Sequence, residues 1–160
     1  MKIQIKLKNN SKGVYAQKEI RKGEIIFKIQ TNQFIATPTK YSVQVGPFKH
    51  IEAQPSSSNQ NHDSFFWRYM NHSCNANCYF NTIDLSFRAC RKIEIDEHLT
   101  FNYLTNEYDM QEPFTCNCGD TNCYKKIKGF KHLNDSQKEK LMPLASEHVR
   151  LLYMREEVLG

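Results

Sequence analysis

The chain has no long apolar run. Its hydrophobic stretches, such as Glu24-Ile25-Ile26-Phe27, stop after a few residues, whereas a bilayer span takes about 20. It also lacks the continuous apolar core of a secretory signal, because lysine alternates with isoleucine and leucine from Met1 to Lys8. No internal repeat, low-complexity tract or run of basic residues suited to nuclear import is present. Without an export signal, the six cysteines are expected to be reduced thiols or metal ligands rather than disulfides. The expectation is an intracellular protein, cytoplasmic or nuclear, with no membrane partner.

Positive charge is scarce in the middle of the chain. The 160 residues carry 22 Lys/Arg and 17 Asp/Glu, a net +5. Residues 1–30 hold eight basic and two acidic side chains, residues 31–124 six and ten, and residues 125–160 eight and five. A nucleic-acid binder concentrates positive charge on its working surface. An acidic middle suits a cationic partner such as a lysine-rich peptide, so no direct nucleic-acid contact is expected. The apolar fraction of 39% is enough for one packed core and excludes a wholly disordered chain.

The first half reads as short strands. Ile3, Ile5 and Leu7 alternate with polar residues, the period of a half-buried strand. Arg21-Lys22-Gly23-Glu24 forms a turn into Ile25–Ile29. Gln33–Ala36 follows, and Tyr41–Val45 alternates before stopping at Gly46-Pro47. Pro55–Asn61 is a polar loop. Phe65–Met70 is dense in aromatics and reads as core. Cys78–Ile83 and Leu85–Ala89 resemble a hairpin joined near Asp84, and Leu99–Tyr103 is a further strand. The tail changes period. Asn134-Asp135-Ser136 offers caps for a helix over Gln137–Met142, and Pro143 interrupts. Leu144, His148, Leu151, Leu152, Val158 and Leu159 then approximate a helical face. The fold class is mainly β, within α+β.

Three constellations carry chemistry. Cys116-Asn117-Cys118-Gly119-Asp120-Thr121-Asn122-Cys123 is a C-x-C-x4-C cluster whose thiolates can wrap one ion. A structural zinc takes four ligands, so Cys74, Cys78 or Cys90 must supply the fourth. Asn71-His72-Ser73-Cys74-Asn75-Ala76-Asn77 is too polar for a core strand unless every group is hydrogen-bonded, and suits an irregular loop that binds a polar ligand. In Leu99-Thr100-Phe101-Asn102-Tyr103, alternate residues of a strand point to one side, so Phe101 and Tyr103 are expected to share a face.

In this order, Asn71-His72-Ser73-Cys74, Leu99-Thr100-Phe101-Asn102-Tyr103 and the cysteine cluster resemble the SET-domain protein lysine methyltransferases with a post-SET zinc motif. Members typically carry Asn-His-Ser-Cys-x-Pro-Asn, Glu-Leu-Thr-Phe-Asp-Tyr, and an opening Gly-x-Gly loop with a Gly-Glu turn downstream. Here Ser11-Lys12-Gly13 and Gly23-Glu24 stand in those places. The likeness runs from about Lys8 to Gly129. Departures are Ser11 for the first glycine, Ala76 for proline, His98 for glutamate, Asn102 for aspartate, and Ile29 where many members place a tyrosine.

The resemblance implies a fold of small curved sheets with a pseudoknot. It divides the chain into a catalytic domain over 1–110, a zinc-stapled post-SET segment over 111–130 and a helical tail over 131–160. It implies methyl transfer from S-adenosylmethionine to the ε-amine of a lysine in a protein substrate, with a histone tail as one candidate partner. Tyr103 and Phe101 match the catalytic positions. Ser11, Lys12, Gly13, Tyr41, Arg68, Asn71, His72 and Phe114 match the cofactor-binding ones. Cys74 matches the fourth ligand of Zn2+, beside Cys116, Cys118 and Cys123. Phenylalanine rather than tyrosine at 101 implies di- or trimethyllysine as product. The rivals are a non-catalytic module that binds basic peptides and an enzyme acting on a small amine.

Overall fold

Short strands carry most of the regular structure, as the alternating segments predict. In chain order they are β1 (Ile3–Lys8), β2 (Ser11–Ala16), β3 (Ile25–Lys28), β4 (Phe34–Ile35), β5 (Val43–Gly46) and β6 (Lys49–Ile51). There follow β7 (Asn71–His72), β8 (Cys78–Asn81), β9 (Ser86–Ala89), β10 (His98–Phe101), β11 (Phe114–Thr115) and β12 (Lys126–Ile127). Helices α1 (Asp135–Leu141) and α2 (Glu147–Leu159) come last. This computed structural model describes residues 1–31, 33–52 and 62–160, so the polar loop read at Pro55–Asn61 lies outside the described residues. Two compact units form: Met1–Gln30 with the described residues up to Asn102, and Thr31–Glu52 with Tyr103–Gly160.

The first unit is a sheet in the order β1-β2-β10-β8-β9-β3, with β7 added on β10. β1 and β2 form a hairpin over Asn9 and Asn10, whose φ values of 49° and 61° suit the tight turn that matches strand twist. Leu7, expected on the buried face of β1, is 67% exposed. It pairs with Lys12 near the hairpin's tip, where no further strand covers it. An irregularity between Ile25 and Phe27 bends the β3–β9 ladder. Fully buried Phe87 holds the core, with ring centroids 4.9 Å from Phe27, 4.7 Å from Phe80 and 5.1 Å from Phe101. The aromatic run over 65–70 folds as a 3₁₀ segment, with Phe66, Trp67 and Met70 buried.

β10 is the hub of this unit. It runs antiparallel to β2 and parallel to both β7 and β8. Asn77 stitches the irregular chain to it. Its amide donates to the Glu97 carboxylate and to the His98 carbonyl, each at 2.9 Å, while its Oδ1 accepts from the Thr100 N–H at 2.9 Å. The polar stretch over 71–77 is thus tolerated because its buried members are satisfied. The strand read over Leu99–Tyr103 ends at Phe101, and Tyr103 opens a 3₁₀ turn, so the two rings do not follow strand alternation. The Tyr103 carbonyl accepts from the N–H groups of Asn106 (3.0 Å) and Glu107 (2.7 Å), which curls the chain.

The second unit pairs β4-β6-β5 in one sheet and β11-β12 in a two-stranded ribbon. The alternation over Tyr41–Val45 puts Gln44 on a polar face, yet Gln44 is buried. The reason is a closed set of hydrogen bonds. Gln44 N–H donates to Glu107 Oε1 (2.9 Å), its side-chain oxygen accepts from Tyr108 N–H (2.8 Å), and its carbonyl accepts from Asn106 Nδ2 (2.7 Å). Helix α1 starts at a capping box between Asn134 and Gln137. Helix α2 packs on β5 through His148 and Val149, with Leu152 and Tyr153 half-buried. Of the expected apolar face, Leu144, Leu151, Val158 and Leu159 are exposed instead. The spacing of Ala145, His148, Val149 and Leu152 turns a different stripe inward.

His148 Nε2 lies 2.7 Å from the Asn106 carbonyl, which fixes that nitrogen as the donor. Its Nδ1 and that of His50 have no partner among the described residues. Burial lowers the pKa of both rings from the ordinary 6.5, and the nearby His50 adds to the effect at His148. Unfolding frees the rings to take up protons at their ordinary value. The unfolded chain therefore binds more protons below that pH, and stability present above it is lost as pH falls. The melting temperature should drop between about pH 8 and pH 5, and His148→Gln should flatten that drop. An equal pH slope in the variant would show that His148 does not contribute.

Candidate functional site

In the first unit, the Asn71-His72 motif is laid directly along the Leu99–Phe101 motif. Asn71 pairs with Thr100 and His72 with Phe101 in a parallel ladder. The Asn71 amide donates to the Lys12 carbonyl at 3.0 Å and lies 3.3 Å from His98 Nε2. Burial, and secondarily the Lys8 ammonium, lower the His98 pKa. The neutral ring can thus accept the second amide proton, which fixes the way the amide faces. His98 is itself held by stacking on Tyr15, centroids 4.7 Å apart and planes 15° from parallel.

Gly13 has to be glycine here. A Cβ at this position would stand 2.5 Å from His98 Nε2 and 3.2 Å from Asn71 Nδ2. The structure therefore brings Lys12, Gly13, Asn71 and His98 into one cluster. Ser11 opens β2 on the exposed side, and Lys12 Nζ lies 5.4 Å from the Tyr69 ring centre. Arg68 is half-buried. His72 is held neutral, its pKa pushed down to about 4 by burial, with Nε2 3.3 Å from Cys74 Sγ. Phe101 is buried edge-on against Phe87, planes at 76°. Ile29 is buried too, its N–H bonded to the Leu85 carbonyl at 2.8 Å.

In the second unit, Tyr103 sits at the head of its 3₁₀ turn. Burial pushes its phenol well above the usual value, and the Glu107 carboxylate adds to the shift. The hydroxyl is thus protonated at neutral pH. Glu107 is buried as well, its pKa pushed up to about 7 by burial against the opposing hydrogen bonds of Gln44 and Asn106. Tyr103 meets Phe114 edge to face, centroids 5.9 Å apart at 74°. Phe114 is 36% exposed and Tyr41, just before β5, is 49% exposed.

The cysteine loop is built locally. β11 pairs Phe114 with Ile127 and Thr115 with Lys126, which clamps both ends of the loop. Gly119 turns inside it at φ 76°. Asp120 Oδ1 accepts from Asn122 N–H (2.8 Å), and the Asp120 carbonyl accepts from Cys123 N–H (3.1 Å). Lys125 N–H donates to Cys123 Sγ at 3.4 Å. Within the second unit, the ligand atoms of Cys116, Cys118 and Cys123 all lie within 4.8 Å of one another. Sulfurs about 2.3 Å from a tetrahedral zinc stand roughly 3.8 Å apart, so these three fit one ion with slight tightening. Cys78 is buried in β8, its thiol pKa pushed up by burial. Cys90 follows β9, and its thiol lies 3.3 Å from the Ala76 carbonyl oxygen.

Three features of these surroundings were not legible as such. His98 reads as a departure from a pattern, not as the partner of Asn71. Gln44 and Glu107, which hold the Tyr103 turn through buried hydrogen bonds, look in sequence like ordinary surface residues. The one available signal was a glutamine between two valines in a segment ending at Gly46-Pro47.

Comparison with known proteins agrees with this arrangement. The SET domain family matches residues 11–104, more than half of the chain. This protein belongs to the SET domain family. Among relatives it is 32% identical over 116 residues to the Methyltransferase flvH of Aspergillus flavus, covering 71% of this chain and 60% of that protein. It is 37% identical over 70 residues to an H3 lysine-36 specific histone-lysine N-methyltransferase of Gibberella zeae, covering 40% of this chain and 8% of that one. Among solved structures, KRYPTONITE in complex with mCHH DNA, H3(1-15) peptide and SAH aligns at TM-score 0.56 and 22% identity, covering 78% of this chain and 29% of that chain. The methyltransferase domain of human SETMAR aligns at 0.54 and 14%, covering 79% and 58%. The two structures share the fold, which confirms the mainly β class. No helix among the described residues is long and apolar enough to cross a membrane.

Two outcomes are expected. Purified protein should carry one zinc per chain by metal analysis. Cys74→Ser should lose it while Cys90→Ser retains it, and zinc retained in Cys74→Ser would remove Cys74 from the ligand set. Gly13→Ala should lower the melting temperature by forcing His98 and Asn71 apart, a close-contact cost of about 1–3 kcal/mol. An unchanged melting temperature would show that the cluster yields without cost.

Proposed function

We propose that this chain is an S-adenosylmethionine-dependent protein-lysine N-methyltransferase that forms di- or trimethyllysine. The observation that carries the reading is the β7–β10 pairing, which sets Asn71 and His72 beside Thr100 and Phe101 in the segment the family matches. The chain spans only part of the length of its relatives, 60% of one and 8% of another. In the reading we favour, residues 1–110 form the catalytic domain, 111–130 a post-SET zinc segment and 131–160 a helical tail.

S-adenosylmethionine would supply an electrophilic methyl group on a sulfonium. The groups assigned to it suit its two ends. Asn71 offers an amide of fixed orientation and His72 a neutral ring, while Phe114 is an aromatic face with part of its surface open. Ser11, Lys12, Gly13, Tyr41 and Arg68 complete the set. Lysine reacts only as the neutral amine, and its ordinary pKa is about 10.4. Buried aromatic walls at Phe101 disfavour the ammonium by excluding water. Tyr103 acts as a protonated phenol that orients the amine; its raised pKa keeps it un-ionised at neutral pH, so it does not serve as the base. The relatives named for H3 lysine 36 make a histone tail the first substrate to test and support an intracellular site of action.

The test is methyl transfer from labelled S-adenosylmethionine to histones, with free amines as a control. Transfer to protein supports the proposal. Cofactor and peptide binding without transfer would make the chain a binding module. Tyr103→Phe should keep cofactor affinity and slow turnover about tenfold or more, which is ~1.4 kcal/mol or more of barrier. Wild-type turnover would remove Tyr103 from the mechanism. Phe101→Tyr should shift products toward monomethyllysine, read by mass spectrometry, because the added hydroxyl takes up room that a methylated amine needs. A wild-type enzyme that stops at monomethyllysine would assign the product limit to another residue.

A further inference from the structure

The second unit contains a cavity of about 200 Å3 that none of the residues assigned above enters. Lys126, Lys128 and His132 line it with Tyr124, Gly129 and Gln137. Lys126 in β12 and Lys128 just after it flank Ile127, and both lysines are exposed while the fully buried Ile127 anchors the segment. At about 3.3 Å per residue, their Cα atoms stand roughly 6.6 Å apart. Among the described residues neither ammonium has a carboxylate partner, and Lys125 beside them has none either. The nearby acids Asp109 and Glu156 are paired with residues other than these lysines, Asp109 with the cavity's own His132. Asp109 pairs with His132 (2.7 Å) and Lys131 (3.7 Å), and Glu156 with Lys131 (3.4 Å). The last 36 residues, 125–160, carry eight basic and five acidic side chains, in contrast to the acidic middle on which the expectation of no nucleic-acid contact rested.

We propose that this face seats the phosphodiester backbone of a nucleic-acid strand. Two unneutralised lysines at alternate positions of one segment match a linear polyanion better than a single anionic group. The cavity is smaller than the ~300 Å3 at which sites for whole small molecules begin, so it admits part of a chain rather than a free nucleotide. Tyr124 at its wall adds an aromatic surface, the companion that positively charged tracks offer to bases. Binding would be electrostatic and independent of sequence, and would draw a nucleic-acid-bound substrate toward the protein. The proposal is separate from the methyl-transfer reading and survives its failure.

Fluorescence anisotropy of the full chain with a labelled DNA oligonucleotide, single-stranded and duplex, tests it without cofactor. Affinity should fall steeply as salt is raised. The Lys126→Gln/Lys128→Gln double variant should lose about tenfold in affinity and about two in the slope of log K against log salt, one for each phosphate contact removed. The Lys126→Arg/Lys128→Arg variant should bind like wild type. Unchanged affinity and slope in the glutamine variant would overturn the proposal. So would a phosphoserine peptide that binds more tightly than the oligonucleotide at equal salt, since the anion would then belong to a protein. Acetylation footprinting of the wild-type chain gives a second reading: the oligonucleotide should shield Lys126 and Lys128 but not Lys18, and equal labelling with and without it would count against the site.

Discussion

The arrangement rests on β10. Four residues, His98–Phe101, take partners from β2 on one side and from β7 and β8 on the other, in antiparallel and parallel senses. Everything distinctive about the first unit follows from that demand. A parallel partner as short as Asn71-His72 contributes few ladder bonds of its own. Neighbouring contacts must therefore hold it, and Asn77 and His98 supply them. Asn77 spends its whole amide on the turn before β10 and on β10 itself, and His98 accepts from Asn71. Losing either would leave a partly buried polar group unpaired, at about 1–3 kcal/mol. This explains how a segment so rich in asparagine sits beside a core built on Phe87.

The second unit solves a similar problem with different residues. The turn that presents Tyr103 has no strand to stabilise it. It is held from below by Gln44, which answers Asn106, Glu107 and Tyr108 at once. Burial of Glu107 in that network raises its pKa to about 7, so the carboxyl is poised near neutrality beside the Tyr103 phenol, whose own pKa its charge raises further. The cysteine loop needs a third device. Its strands are only two residues long, and a metal held by its thiols would take the place of a larger core.

Part of this was legible in the residues. The short β-branched segments, the hairpin over residues 78–89, the capped helix after Asn134 and the C-x-C-x4-C cluster all depend on local chemistry: pleat periodicity, turn residues, a capping box and ligand spacing. The order of the motifs was enough to reach the SET family. The sequence pattern failed where a residue's neighbours lie far away along the chain. Tyr103 reads as the end of a strand because nothing local signals that its carbonyl will accept two N–H groups and turn the chain. The stripe on α2 was misplaced because period alone does not say which face β5 will meet.

What the amino-acid sequence determined by itself is the set of elements, the thiol cluster and the family, since these follow from interactions within a few residues or from motifs in order. What only the tertiary structure decided is which polar groups go inside and what they hold. Gln44 is buried because three backbone and side-chain partners from residues 106–108 await it, and Gly13 is required because a Cβ there would run into His98 and Asn71. Hydrogen bonding and steric exclusion act over a few ångströms in space, whatever the separation along the chain, and so they become visible only once the chain has folded.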